Sequence, residues 1–317
     1  MKLIVQIPCL NERATLPDTL RAIPRSIPGI EKVEVLVIDD GSTDGTGQVA
    51  RENGADHVVR FTQRKGLAAG FMAGLDASLR LGADIIVNTD ADNQYPAHEL
   101  PRLLAPILAG EADMVVGDRG VGSLAHFSWT KRQLQGMGSW VVRKVSGTSV
   151  VDATSGFRAL TRDAALRINI VSEFTYTLES IIQAGKKRMA VAHVPIESRE
   201  TRPSRLFSST WEYVKRSAAT ILRIYAMYEP FKVFVVLGSL LMGAGATLGV
   251  RYAYYTWWLG DARGHVQSGV LSVLLVILGF QTLQWGVMAD LVASNRKLIE
   301  DLLYRVRRIE LGDERRG

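Results

Sequence analysis

Apolar and polar positions change rhythm along this chain. Up to about residue 200, short apolar runs alternate with stretches of helical period. Leu3–Ile7, Val33–Ile38, Ile85–Thr89 and Met114–Gly117 read as buried strands, because each run is short, apolar and rich in β-branched side chains. Leu67–Leu81 and His98–Ala109 read as helices between them. The alternation predicts an α/β domain with a mostly parallel sheet. Ligands of such sheets bind beyond the carboxyl ends of the strands, so the polar residues that follow each strand are the place to look for chemistry.

The rhythm then shifts. From Phe207 to Tyr228, the residues Phe207, Trp211, Val214, Ala218, Ile221, Leu222, Tyr225 and Tyr228 recur at helical spacing, with Lys215, Arg216 and Arg223 elsewhere on the helix. Placed just before a long apolar run, this pattern predicts an amphipathic helix on an anionic membrane surface. Val233–Val250 and Val266–Ala289 contain no charged residue. About 20 apolar residues cross a hydrocarbon core of roughly 30 Å as a helix, so two spans are expected. Lys232 and Arg251 flank the shorter run and can snorkel outward, and Tyr252, Tyr254, Tyr255, Trp257 and Trp258 suit an interfacial aromatic belt. Leu298, Leu302, Val306 and Ile309 suggest another amphipathic helix after the second span.

Basic residues crowd both ends of this hairpin: Lys215, Arg216, Arg223 and Lys232 before it, and Arg296, Lys297, Arg305, Arg307, Arg308, Arg315 and Arg316 after it. The connecting loop carries only Arg251, Asp261 and Arg263. The positive-inside bias therefore predicts a multi-pass protein of the cytoplasmic (inner) membrane with both termini and the α/β domain in the cytoplasm. No secretory signal is expected, since Met1–Ile7 is short and runs straight into Pro8. The expected organisation is an α/β domain over 1–205, an interfacial helix over 206–229, the two spans over 230–291 and an amphipathic tail over 292–317. Gly238, Gly243, Gly245 and Gly249 would permit close helix packing and with it a homo-oligomer.

Composition narrows the class. Of 317 residues, 47% are hydrophobic, which excludes a disordered chain. The single Cys9 excludes a disulfide framework and suits a reducing compartment. A net charge of +6 is too mild to argue for a nucleic-acid partner.

The strand ends carry the candidate chemistry. Pro8-Cys9-Leu10-Asn11-Glu12 follows the first strand, and Asp39-Asp40-Gly41-Ser42-Thr43-Asp44-Gly45-Thr46 follows the second. Carboxylates there can accept hydrogen bonds from a base N–H or a ribose hydroxyl, although Asn11 and Thr46 also suit local caps. After Ile85-Ile86-Val87 come Asn88-Thr89-Asp90-Ala91-Asp92-Asn93-Gln94-Tyr95-Pro96. Two carboxylates two apart at a strand end suit a hard divalent cation, and Gln94 can add a neutral oxygen. Cations stand in matching places: Arg64 and Lys65 before Gly66, Arg119 after the strand at 114–117, then Lys131, Arg132, Arg202 and Arg205. Such groups clamp phosphate oxygens, and some of them serve only solubility or lipid headgroups.

Taken in order, Pro-x-x-Asn-Glu, Asp-Asp-Gly-Ser-x-Asp-Gly-Thr, Arg-Lys-Gly, Asp-Ala-Asp-x-Gln, Gly-Asp-Arg and the Ser-Gly-Phe-Arg of Ser155–Arg158 resemble family-2 glycosyltransferases, most of all the dolichyl- or polyprenyl-phosphate sugar synthases of the bacterial two-span type. The resemblance covers Pro8 to about Arg205. It implies a GT-A fold, a nucleotide-diphosphate-sugar donor and a polyprenyl phosphate acceptor. By position it implies that Pro8, Leu10, Glu12, Ile38, Asp39 and Asp40 surround the nucleoside. Lys65, Asp90 and Ala91 would lie along the ribose and diphosphate, and Asp92 with Gln94 would hold Mg²⁺ or Mn²⁺. Arg119 and Lys131 would face a phosphate of donor or acceptor, Arg202 and Arg205 would reach the diphosphate, and Glu179 would lie near the acceptor. Leu10 stands where the family commonly has an aromatic residue, and Asn93 where it commonly has Leu.

The expected reaction is inverting in-line displacement. A sugar hydroxyl acceptor needs a general base, whereas a polyprenyl phosphate oxygen is already ionised. Asp152 is then a spare carboxylate beside Ser155-Gly156, suited to fixing that loop. A processive polysaccharide synthase would carry more spans and a Gln-x-x-Arg-Trp motif; Gln284-Trp285 lacks the Arg. A non-enzymatic flippase accessory subunit would have lost the acidic motif or the basic clamp, and both are intact. The expected donor is a UDP-glucose-like or GDP-mannose-like nucleotide sugar, with UDP-glucose or a close relative favoured.

Overall fold

The computed structural model describes residues 1–120, 129–172, 176–199, 215, 218–219, 222–223, 225–226, 228–260 and 265–312, with the side chains of 129–137 outside that set. The chain forms two compact units, Met1–Leu222 with Leu303–Gly317, and Arg223–Leu302.

In the first unit the chain runs β1 (Lys2–Cys9), α1 (Leu16–Ala22), β2 (Lys32–Asp39), α2 (Thr46–Glu52), β3 (His57–Arg60), α3 (Leu67–Arg80), β4 (Ile85–Asn88), α4 (Leu100–Leu108), β5 (Met114–Asp118), α5 (Trp129–Ser146), β6 (Arg158–Thr161), α6 (Arg162–Arg167), α7 (Thr177–Lys186) and β7 (Val191–Pro195). The strands make one sheet in the order β3-β2-β1-β4-β6-β5-β7. All pairings are parallel except those of β6, which runs antiparallel to both β4 and β5. The apolar runs predicted as strands are β1, β2, β4 and β5. The other three carry no such run. β3 and β7 are half-buried edge strands, and β6 opens on a fully buried arginine.

β1 lies in the middle of the sheet and is buried on both faces, which is why Leu3-Ile4-Val5 reads as continuous apolar sequence rather than alternation. Leu3, Val5, Ile7, Val35, Val37, Val87 and Val115 are wholly buried and join Leu16, Leu103 and Leu104 of α1 and α4. Each such side chain contributes about 1.5–3 kcal/mol on burial. The parallel strands β1 and β2 end in register at Cys9 and Asp39, and β4 ends beside Gln6, so the loops that follow all three leave from the same side of the sheet.

The second unit holds α8 (Pro230–Ala253), a π-helical turn at Tyr254–Trp258, and most of α9 (Val266–Glu310). Both helices are long and apolar enough to cross a membrane. Trp257 and Trp258 are exposed at the turn. On α9 the buried positions are Ser272, Gly279, Gly286 and Ala293, one every seven residues. A methyl on Gly238 would come within 2.9 Å of the Gly279 carbonyl oxygen, and Ser272 Oγ donates to the Gly245 carbonyl at 2.6 Å. Small residues thus let the two backbones touch, as helices do where no hydrophobic effect drives them together. Gly238, Gly245 and Gly249 are occupied by this hairpin packing, while Gly243 faces open space.

α9 is one continuous helix, where a span followed by a separate amphipathic helix was expected. Nothing between Ala289 and Leu298 breaks a helix: there is no Gly or Pro, and the Asp, Ser, Asn, Arg and Lys there are tolerated on its surface. Its last turns belong to the first unit. There Tyr304 Oη donates to Asp163 at 2.6 Å, and Arg307 Nη1 caps the carbonyls of Leu166 and Ile168 at 3.2 Å each. Most of the interfacial helix expected over 206–229 lies outside the described residues.

Candidate active site

The loops after β1 and β2 are stitched together by short polar side chains. Ser42 Oγ accepts from Asn11 N at 3.0 Å, Asn11 Oδ1 accepts from Thr43 N at 3.0 Å, and Thr46 Oγ1 accepts from Glu12 N at 3.0 Å. Asn11 and Thr46 thus tie the two loops to each other. The Glu12 carboxylate accepts from Thr15 Oγ1 at 2.7 Å. Asp39 is buried; one oxygen accepts from Ser42 N at 2.8 Å, and the other lies 3.3 Å from Arg60 Nε. Asp40 accepts from the backbone of Lys65 at 2.6 Å and of Gly66 at 2.9 Å, one on each oxygen. The Lys65 ammonium sits over the Phe61 ring at 4.7 Å. Pro8 and Leu10 are half-buried beside these loops, and Ile38 is fully buried.

The acidic turn after β4 is built differently. Asp92 Oδ1 accepts from Gln94 N at 3.1 Å, and Asn93 takes a left-handed φ of 56°, which asparagine tolerates. Ala91 is buried behind the turn, and its carbonyl accepts from Thr19 Oγ1 at 3.0 Å. Asp90 is half-buried against Gly156, where a methyl would lie 2.9 Å from both carboxylate oxygens. Burial raises the Asp90 pKa to about 6; the Asp92 charge adds to the rise, while Arg119 and Arg158 oppose it. Two neighbouring carboxylates, one of them costly to ionise, with an amide next in line, make an all-oxygen donor set suited to Mg²⁺ or Mn²⁺.

Beneath this turn lies a buried polar floor. Gln6 Nε2 donates to Asn88 Oδ1 at 2.9 Å, and Asn88 Nδ2 donates to the Gly156 carbonyl at 2.9 Å and to Tyr176 Oη at 2.8 Å. The Tyr176 ring stacks on Phe71 at 4.0 Å and lies 5.2 Å from the Arg158 guanidinium. Arg158 is fully buried and donates to the carbonyls of Ser155 and Thr177 and to Ser180 Oγ. Gly156 N donates to Tyr95 Oη at 3.1 Å, and Tyr95 stacks on Phe157 at 5.0 Å. Ser155-Gly156-Phe157-Arg158 is thus the wall against which the acidic turn rests.

Arg119 stands at the mouth of β5. Its Nε and Nη2 grip Asp152 side-on at 2.6 and 3.0 Å, and Nη2 also reaches Thr154 Oγ1 at 2.8 Å. Burial alone would lower the Arg119 pKa, but the surrounding anionic groups, Asp152 among them, raise it. Burial likewise opposes the Asp152 charge, and Arg119 outweighs it, holding that carboxyl below the ordinary range. Glu179 on α7 is fully buried; its oxygens accept from Val171 N at 3.1 Å and Ser172 N at 2.9 Å, so it holds the segment before α7.

Pro8, Ile38 and Asp39 lie in the last two residues of β1 and β2, Leu10, Glu12, Asp40, Asp90, Ala91, Asp92, Gln94 and Arg119 follow the carboxyl ends of β1, β2, β4 and β5, and Lys65 is joined to Asp40 through its backbone. Arg202, Arg205 and the Lys131 side chain lie outside the described residues. Sequence reasoning did not find Asn88, Tyr95, Tyr176 and Thr154. Tyr95 and Asn88 flank the acidic motif and could have been suspected there; Tyr176 and Thr154 are brought in only by the fold.

Residues 4–168 match the family described as Glycosyl transferase family 2. The polyprenol monophosphomannose synthase of Mycolicibacterium smegmatis is 34% identical over 61% of this chain and 76% of its own length. The undecaprenyl-phosphate 4-deoxy-4-formamido-L-arabinose transferase of Salmonella choleraesuis is 27% identical over 96% of this chain and 94% of its own, hairpin region included. Among solved structures, the glucosyl-3-phosphoglycerate synthase of Mycobacterium tuberculosis with phosphoglyceric acid aligns over 71% of this chain and 80% of its own, at a TM-score of 0.55 and 27% identity. Another structure of that synthase contains Mn²⁺ with uridine-diphosphate-glucose. With its GT-A sheet and its acidic turn at the carboxyl end of β4, this chain belongs to glycosyl transferase family 2 and is a glycosyltransferase.

Proposed function

We propose that this glycosyltransferase moves a hexose-like sugar from a UDP- or GDP-sugar to the phosphate of a polyprenyl lipid, with inversion, at the cytoplasmic face of the inner membrane. The observation that carries the reading is the pairing, in one chain, of a strand-end acidic turn flanked by Arg119 with a two-helix apolar hairpin. The relatives named for transfer to polyprenyl and undecaprenyl phosphates support the acceptor class and leave the sugar open.

The chemistry asks little of a base. The acceptor oxygen is ionised at neutral pH and attacks the anomeric carbon directly, while the bond to the nucleoside diphosphate breaks on the opposite side. The difficulty is the approach of two anionic groups. Asp92 and Gln94, beside Asp90, would hold Mg²⁺ or Mn²⁺, which supplies charge neutralisation for the departing diphosphate. Arg119 holds positive charge close to the same turn, and Lys131, Arg202 and Arg205 are assigned the same task by sequence. Pro8, Leu10, Glu12 and Ile38, with Asp39 and Asp40 shaping the neighbouring loops, would line the nucleoside. Basic residues at both ends of the hairpin favour a cytoplasmic orientation for both termini.

The test is direct. Full-length protein in lipid, given Mg²⁺, undecaprenyl phosphate and a panel of UDP- and GDP-sugars, is expected to release nucleoside diphosphate and yield one glycolipid identified by mass. Failure to form lipid product from any donor would reject the assignment.

A further inference from the structure

The carboxylate that the sequence leaves without a task, Asp152, is the most fully used acid near the proposed reaction centre. It is buried, and its oxygens accept four hydrogen bonds: Oδ2 from Arg119 Nε at 2.6 Å, and Oδ1 from Arg119 Nη2 at 3.0 Å, Thr154 N at 3.2 Å and Thr154 Oγ1 at 2.9 Å. A carboxylate has about four lone-pair sites, so Asp152 has no acceptor capacity left for a substrate proton. The same geometry fixes Arg119. A guanidinium has five N–H groups in a rigid plane. Nε and Nη2 are taken by Asp152 and Thr154, and Nη1 has no hydrogen-bond partner among the described residues. Arg119 is 11% exposed, so the guanidinium is not sealed from the site.

We propose that Asp152 is a positioning residue: by gripping Arg119 side-on it fixes the guanidinium plane and presents the Nη1 edge to a phosphate of donor or acceptor, and it takes no proton in the reaction. The inference rests on the transfer to polyprenyl phosphate proposed above and deepens it by giving a task to a buried carboxylate that this reaction does not need as a base. Thr154 is the second brace, since its hydroxyl meets both Asp152 Oδ1 and Arg119 Nη2. An unpaired Arg119 would sweep many rotamers; a side-on salt bridge in a buried setting selects one and leaves the phosphate-facing edge free.

The test is a double-mutant cycle on full-length protein in lipid, with transfer measured against donor and acceptor concentration. Arg119→Ala and Asp152→Ala are each expected to raise the KM for one of the two phosphate-bearing substrates, the same one in both variants, by about tenfold or more. The double variant is expected to be no worse than the poorer single variant. Asp152→Asn, which keeps an acceptor oxygen for Arg119, is expected to recover part of the loss. Thr154→Val is expected to give a smaller loss that vanishes in the Arg119→Ala background, and it keeps the question answerable if Asp152→Ala fails to fold. Losses that multiply across the cycle, or an Asp152→Asn variant as inactive as Asp152→Ala with KM unchanged, would show a role independent of Arg119 and overturn the proposal. A wild type that makes no glycolipid would instead remove the reading beneath it.

Discussion

Two acidic segments of this molecule look alike in sequence and are unlike in structure. Asp39-Asp40 and Asp90-Ala91-Asp92 both follow an apolar strand and both offer two carboxylates. The first pair is consumed by its own loops: backbone N–H groups of Ser42, Lys65 and Gly66 and the Arg60 guanidinium take three oxygens as hydrogen-bond acceptors or the fourth as an ion-pair partner. In the second pair Asp90 is held against a glycine, with burial and then the Asp92 charge raising its pKa to about 6. Backbone donors turn the first pair into scaffold, and the second is the one proposed to take the cation.

The widest separation between the two is expected from one substitution in each segment. Asp92→Asn should lower transfer by about 10³-fold while leaving the melting temperature near that of wild type. Unimpaired turnover would erase the distinction. Asp40→Ala should do the reverse in kind: it frees two backbone N–H groups of the 64–66 loop and should cost about 2–4 kcal/mol of stability in a denaturant titration. A variant as stable as wild type would return Asp40 to the class of free ligands.

Gly156→Ala probes the wall rather than the acids. A methyl 2.9 Å from both Asp90 oxygens must displace the carboxylate, so a loss of about 10- to 100-fold in transfer is expected with the sheet intact by circular dichroism. Wild-type rates would mean that Asp90 need not rest where it does.

The smallest effect is a pH dependence of the metal-free protein. The folded-state Asp90 pKa of about 6 stands above the ordinary carboxylate value, so between roughly pH 4 and pH 6 the folded chain keeps a proton that the unfolded chain releases. Stability should therefore fall as pH rises through that window, by about 1–2 kcal/mol, and stay lower above it. Asp90→Asn should flatten the slope when unfolding is followed in chelator across pH 4–7. A slope unchanged in that variant would assign it to another group.

Much of this was readable beforehand where a single segment carries the signal. Strands β1, β2, β4 and β5, helix α3 and the two apolar runs of the hairpin announce themselves through their own periodicity. β3, β6 and β7 do not, because their residues are held by neighbours rather than by their own hydrophobicity; Arg158 opens a strand only because Ser155, Thr177 and Ser180 supply its partners. Glu179, expected near the acceptor by motif position, is a buried brace for the backbone at 171–172, a role its motif position does not announce. The heptad of Ser272, Gly279, Gly286 and Ala293 was open to view in the chain but becomes meaningful only when Gly238 and Gly245 lie across from it.

Sequence alone determined the family, the strand-end location of the chemistry and the apolar hairpin, because each is written in contiguous residues whose spacing has one physical reading. Tertiary structure alone decided which acids are bound by backbone donors and which cationic side chain is held by which anionic one. Those outcomes depend on donors brought from 25 to 35 positions away, as with Asp40 and the Lys65 backbone or Arg119 and Thr154, and a hydrogen bond is settled by distance in space rather than along the chain.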